Sequence, residues 1–302
     1  MEFFTGVPDT DRKILFDLSG KDVINACRIG KYAQSICNEK FWYKKILIDY
    51  DVNLAKYGGF DPNIIYSDIY LSLSKILSTN LEWELLWAVA SIGYLPLFNA
   101  VLELDQGEPH WPTIKYAFFI AANKGHTEIV KYITENNDLS YDNIIDASIY
   151  AASGCQIEMI KLLKKWDYDT IEAAIESNCV PIIEMLLSKP QDLRKTLYDT
   201  VKFGGNDRVL KFLIPRIDIS VYGKNLLMIA VLMNDTYTAE YLLEMGADPS
   251  GIKTSNTEIN ILFDKYKKSA NARQCKGITQ KGERCKKNAT KGDCHCKLHT
   301  KK

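Results

Sequence analysis

The chain reads as an all-α protein: a helical solenoid entered through a three-helix hook and followed by a small tail rich in cysteine and histidine. Three observations lead there. A pattern of about thirty residues recurs through the middle of the chain, the mark of stacked repeats. Three short stretches with helical apolar spacing fill the first forty-odd residues. Four of the eight cysteines crowd into positions 275–296. With 302 residues, 46% hydrophobic and 25% charged, the composition is that of an ordinary globular protein and excludes disordered, collagen-like and membrane classes.

The hook comes first. Pro8 precedes the apolar set Ile14, Leu15 and Leu18; Asp22 and Val23 open a second amphipathic stretch through Cys27; Ile36, Cys37, Phe41 and Trp42 form a third. Three short helices are predicted. About forty residues are too few for a sizeable core, so their apolar surplus needs a companion surface. The order of these residues resembles an F-box, the helical hook that docks the Skp-type adaptor of cullin-RING ubiquitin ligases. The family's Leu-Pro start corresponds to Val7 and Pro8, a mild departure, its Asp-Leu entry to Asp22 and Val23, and its closing Trp to Trp42. The resemblance implies adaptor contacts through Pro8, Ile14, Leu15, Leu18, Val23 and Trp42. The competing reading of the same stretch is an N-terminal helical cap for the solenoid. Residues 7–45 form the hook and 46–80 a connecting helical segment.

Next stands the solenoid, residues 81–262. Residues 121–133 lie over 151–163 at an offset of thirty, with two alanines, a Glu and a Lys coinciding. The same helix, turn, helix pattern recurs about six times, with turns at Gly93, Gly125, Cys155, Asn178, Gly205 and Asn234. Small residues before each turn permit close helix approach, and the apolar set after it buries one face of the second helix. One unit cannot bury that face alone, but stacked units can, leaving a concave surface suited to gripping a partner. The uncharged run 85–102 is long enough to raise a membrane helix, but Gly93 and Pro96 interrupt it and the repeat explains it better. These segments resemble ankyrin repeats, with the best matches at 121–133 and at 225–249, the latter ending in Gly246, Ala247, Asp248 and Pro249. The family's Thr-Pro-Leu-His start is degraded throughout. The resemblance implies a protein-binding array in which His126, at the Gly-His turn, serves inter-repeat hydrogen bonding. His110, in a turn beside Trp111 and Pro112, reads as scaffold.

A basic linker, 263–273, leads to the tail, 274–302. From residue 265 onward thirteen Lys/Arg face only Glu283 and Asp293, while the preceding 264 residues carry a net charge of −11. Such asymmetry suits phosphate or an acidic surface, or equally a solvated Lys-rich terminus; nucleic acid is one partner it would suit, although too few aromatics are present for base reading. Cys275, Cys285, Cys296 and His299 supply the ligand set of a closed structural zinc site, with Cys294 able to replace Cys296. The segment holds almost no large apolar residues, so metal would drive its folding. It resembles a small viral and phage-associated cysteine-rich module. Cys27, Cys37, Cys155 and Cys179 read as small buried hydrophobes.

No catalytic constellation emerges. Gly277 and Gly282 approach P-loop spacing, but Glu283 stands where the phosphate-binding Lys belongs. The four histidines support no triad. The first residues carry no leader pattern, so the sequons at Asn234 and Asn288 are expected to be idle, and the cytoplasm or nucleus is the expected location. An F-box before ankyrin-like repeats resembles adaptor proteins of large DNA viruses, which would place the chain in a host cell. The expectation is a non-enzymatic substrate receptor of a cullin-RING ligase, bound to a Skp-type adaptor and a target protein, without membrane contact. The alternatives are an ankyrin scaffold that recruits no ligase, and a nucleic-acid-associated protein led by the tail.

Overall fold

In the computed structural model, which describes residues 4–79, 85–104, 111–187, 190–203 and 207–273, every regular element is helical. Contacts divide the chain into two units, Met1–Ala173 and Ala174–Lys302.

The first unit opens with α1 (Pro8–Asp17), α2 (Gly20–Arg28), α3 (Lys31–Ile36), α4 (Glu39–Asp49) and, after a short 3-10 turn at Ala55–Tyr57, α5 (Tyr66–Thr79). Pro8 fits the first turn of α1 because its missing N–H has no partner there in any case, and Asp9 and Asp11 in that turn suit the helix dipole. Asn38 caps α4 by accepting from the Phe41 N–H at 3.1 Å. Leu15, Val23, Ile36, Phe41, Trp42 and Ile46 form a core that α5 completes with Tyr66, Tyr70 and Leu73. Trp42 packs on Tyr70 with ring centroids 5.0 Å apart, and Tyr43 on Tyr66 at 5.1 Å. The companion surface that the hook requires is therefore α5 of the same chain.

A buried polar network fastens this packing. The Lys45 ammonium donates to the Phe16 carbonyl at 2.8 Å and to Asp49 at 2.6 Å. The Tyr70 hydroxyl donates to the other Asp49 oxygen at 2.6 Å and accepts from the Gly20 N–H at 3.2 Å. Burial, then the bond to Asp49, raises the Tyr70 phenol far above its ordinary range, so it stays a donor. A buried ammonium requires such pairing.

One sequence expectation is corrected here. Cys27 and Cys37 are joined by a disulfide across a Cα separation of 5.9 Å, within the usual span for this bond. The tight corner at Ile29 and Gly30 folds α3 back so that its C-cap meets the last turn of α2. Packing, not residue spacing, creates that proximity.

Helix pairs follow: α6 (Leu85–Ile92) with α7 (Leu95–Leu102), α8 (Trp111–Lys124) with α9 (Thr127–Asn136), and α10 (Tyr141–Ser153) with α11 (Ile157–Leu163). The uncharged run is thus two helices broken at Gly93, and among the described residues no helix is long and apolar enough to cross a membrane. Next come α12 (Tyr168–Glu176), at the division, and in the second unit α13 (Val180–Leu186), α14 (Pro190–Lys202) with α15 (Asp207–Leu213), α16 (Ile219–Leu232) with α17 (Thr236–Glu244), and α18 (Thr257–Arg273). α18 includes the stretch 263–273 that composition suggests is a linker.

Positive φ marks the expected turns: Gly93, Gly125, Cys155, Asn178 and Asn234 lie at +85°, +80°, +56°, +57° and +60°. Gly205 lies outside the described residues. After each of the last four, the next N–H reaches back to an alanine carbonyl: His126 to Ala121, Gln156 to Ala151, Cys179 to Ala174 and Asp235 to Ala230, at 2.8 to 2.9 Å. This is the Schellman closure of a helix on a left-handed residue. The second helices bury matching sets, Ile129, Val130 and Ile133 in one repeat and Met159, Ile160 and Leu163 in the next.

Repeats are keyed together at the turns. The His126 Nε2–H donates to the Ser91 carbonyl at 2.9 Å, and its ring lies over Gly93, where a Cβ would stand 2.2 Å from Nδ1. Gln156 covers Gly125 in the same way one repeat later. Gly154 meets the Asn123 carbonyl, and the Asn123 side chain donates to the Tyr150 carbonyl at 3.0 Å. His126 is therefore an inter-repeat key, as its turn position implied.

Candidate protein-interaction surfaces

Along the first helices of the first unit, aromatic side chains meet from repeat to repeat. Trp87 on α6 donates its indole N–H to the Thr113 carbonyl at 2.9 Å, which fixes the ring against Tyr116 on α8, centroids 5.3 Å apart and edge to face. Phe119, one turn further along α8, stacks on Tyr150 of α10 at 4.9 Å, nearly parallel. Lys115 lies 5.3 Å over the Phe119 ring and 3.5 Å from Asp146. The base of this ladder, Phe119, is buried, but Tyr116 and Tyr150 remain 49% and 41% exposed. Rigid aromatic area with polar tips, bordered by a cation and a carboxylate, is the kind of surface that anchors a protein partner.

The signal for this ladder was weak. Phe119 stands six residues before Gly125, as Trp87 does before Gly93, but Tyr116 and Tyr150 occupy other repeat positions. Only the stacking of whole repeats brings the four together.

The second unit exposes apolar side chains of its own. Val221, Met228 and Leu232 form an exposed line on α16, with Leu232 77% exposed. Between α17 and α15, the Tyr237 hydroxyl donates to Asp207, whose other partner is Lys211 at 2.8 Å. Hydrogen bonds, first from Lys211 and then from Tyr237, hold the Asp207 carboxyl below its ordinary range. The Arg194 guanidinium lies 5.6 Å over the Tyr222 ring.

The residues that resemblance assigned to adaptor binding are split by burial. Leu15, Val23 and Trp42 lie in the core shared with α5, at 0%, 0% and 6% exposure. Ile14 and Leu18 are half-buried and Pro8 is exposed. The expected metal ligands Cys275, Cys285, Cys296 and His299 lie outside the described residues, as does His110. Among the described residues no group of three or more His, Cys, Asp or Glu side chains is placed to hold a metal ion.

Residues 222–255 match the family model of the ankyrin repeat. The chain carries an ankyrin repeat. It spans most of α16, all of α17 and the turn at Gly246 to Pro249, where the Ala247 N–H returns to the Leu242 carbonyl at 2.9 Å. The same closure on a left-handed residue ends α8, α10 and α12. No curated protein and no solved structure matches the chain. An ankyrin repeat among described elements that are all helical supports binding to a protein partner.

Proposed function

We propose that the chain is a non-catalytic recruiting adaptor whose first-helix face holds a target protein. The observation that carries this reading is the aromatic ladder of Trp87, Tyr116, Phe119 and Tyr150, which joins three successive first helices and leaves two tyrosine rings exposed. Cross-linking mass spectrometry in cells that express the chain tests it. Partners should cross-link to α8 and α10 in the parent and be lost in Tyr116→Ala, Tyr150→Ala; the same partners at undiminished yield would refute it.

In this reading α1 to α4 dock a Skp-type adaptor of a cullin-RING ligase, and the chemistry resides in the ligase. With Leu15, Val23 and Trp42 buried, Pro8, Ile14 and Leu18 are the side chains left to make the contact. Co-purification with a eukaryotic Skp-type adaptor, beside Ile14→Glu, Leu18→Glu checked for retained helicity, tests this arm. The shared core with α5 favours a second reading, in which α1 to α5 cap the solenoid and the chain is a scaffold without a ligase. No binding by the folded parent selects that reading. The tail contributes one structural zinc ion on Cys275, Cys285, Cys296 and His299, and its basic charge suits an acidic surface or nucleic-acid phosphate.

A further inference from the structure

We propose that the Cys27–Cys37 disulfide is a reversible thiol–disulfide exchange site, opened by an external thiol at Cys37, and that it controls the order of α3 and the start of α1. The inference does not depend on the ligase reading.

Its first support is placement. The bond borders a cleft also lined by Ile24, Arg28, Trp42 and Leu71, so side chains of α2, α4 and α5 surround it. Cys27 is buried whereas Cys37, at the C-cap of α3, is partly exposed. An incoming thiolate therefore has its path to the Cys37 sulfur. Arg28 is exposed and lines the same cleft as Cys27, and a cation in that cleft favours the thiolate that leaves.

The second support is what the bond restrains. α3 has six residues and no side-chain cap at its N-terminus, far too short to persist by itself. Besides the disulfide it is held by the buried side chains of Ala33 and Ile36 and by the Tyr32 hydroxyl, which donates to Asp11 at 2.7 Å. Asp11 in turn accepts from the Thr5 N–H and hydroxyl and from the Gly6 N–H, at 2.7, 2.8 and 3.0 Å. One chain of contacts thus runs from the disulfide through α3 to the residues that precede α1.

The exchange balances with glutathione-type thiols as the reductant. A thiolate RS⁻ bonds to the Cys37 sulfur and the S–S bond breaks, giving Cys37–S–SR and the Cys27 thiolate. A second RS⁻ attacks the mixed disulfide at the external sulfur, releasing the Cys37 thiolate and RSSR. Two electrons pass to the protein, and both thiolates take protons from water. RSSR drives the reverse steps.

The test uses the full chain equilibrated in reduced and oxidised glutathione at varied ratio, acid-quenched, alkylated and mapped by peptide mass spectrometry. Hydrogen exchange is followed over residues 28–40. Cys27 and Cys37 should become alkylated together as the buffer grows more reducing, with the trapped glutathione adduct on Cys37. Protection over α3 should fall by about tenfold or more with loss of the tether. Cys27→Ser, Cys37→Ser should exchange like the reduced chain in every buffer. Three results would overturn the proposal: an adduct on Cys27, a bond that survives excess glutathione in the folded chain, or α3 protection that ignores the redox state.

Discussion

Replacing Gly154 with alanine sets two physical effects against each other. Gly154 caps α10 at φ −85°, a backbone any residue adopts, and helix propensity alone favours alanine by about 0.5–1 kcal/mol. Packing opposes it. A Cβ there would stand 1.9 Å from the Asn123 carbonyl oxygen and 2.8 Å from its carbon, where ordinary contact needs about 3.4 Å or more. The obstacle is backbone of the preceding repeat, already fastened by the Asn123 to Tyr150 hydrogen bond, so no side chain can swing away. The seam must open by more than an ångström, and overpacking of that kind costs about 1–3 kcal/mol and occasionally more. The net expectation is a loss of about 1 kcal/mol or somewhat more, read as a lower urea midpoint in far-UV circular dichroism. Gly30→Ala is the control: φ is −178° and among the described residues nothing lies within 4 Å of the added Cβ, so it should shift stability by less than about 0.5 kcal/mol. A Gly154→Ala chain as stable as the parent would refute the close-approach argument.

Other expectations follow from equally local features. Lys45→Met should cost about 1–3 kcal/mol in the same unfolding assay, because it leaves the Phe16 carbonyl without its side-chain donor and takes one of the two partners of Asp49; a neutral outcome would show that the Lys45 bonds are not holding α4 to α1. Asn178→Gly should gain about 0.5–1 kcal/mol, since it relieves a φ of +57° and removes a buried amide oxygen that has no partner among the described residues; a loss in stability would contradict that. For Asp11, burial raises the carboxyl but hydrogen bonds led by the Thr5 N–H outweigh it and the net shift is downward. Its contribution to stability is therefore complete above the ordinary carboxylate range and disappears as pH falls through the lowered value. Asp11→Asn should flatten the acid limb of a stability profile, and an unchanged acid limb would refute the clasp. Elemental analysis should find about one zinc per chain, lost in Cys285→Ser; a metal-free tail that still folds would refute the site.

The parts of the fold legible in the sequence are those governed by local stereochemistry. A left-handed residue after each first helix selects glycine or asparagine, and a tight closure selects alanine before it, so Gly125, Asn178 and Asn234 stood out with Ala121, Ala174 and Ala230. Cys155 could be placed only by register, because cysteine carries no preference for positive φ. What depended on distant parts meeting was not legible. Tyr66 and Tyr70 look like unremarkable aromatics in a connector until α5 lies against Trp42. Cys27 and Cys37 look like small apolar residues until the corner at Gly30 turns α3 around. The aromatic ladder is scattered over three helix pairs and becomes a surface only when they stack.

That α5 completes the α1 to α4 core and also packs on α6 makes it a shared wall between the hook and the first repeat. Close-packed interiors yield by discrete rearrangement, not by gradual compression. Were α5 to have two seatings, a ligand preferring one of them on either side would change affinity on the other, and by the same factor in both directions. Two binding events on this chain would then read one another through fourteen residues of helix.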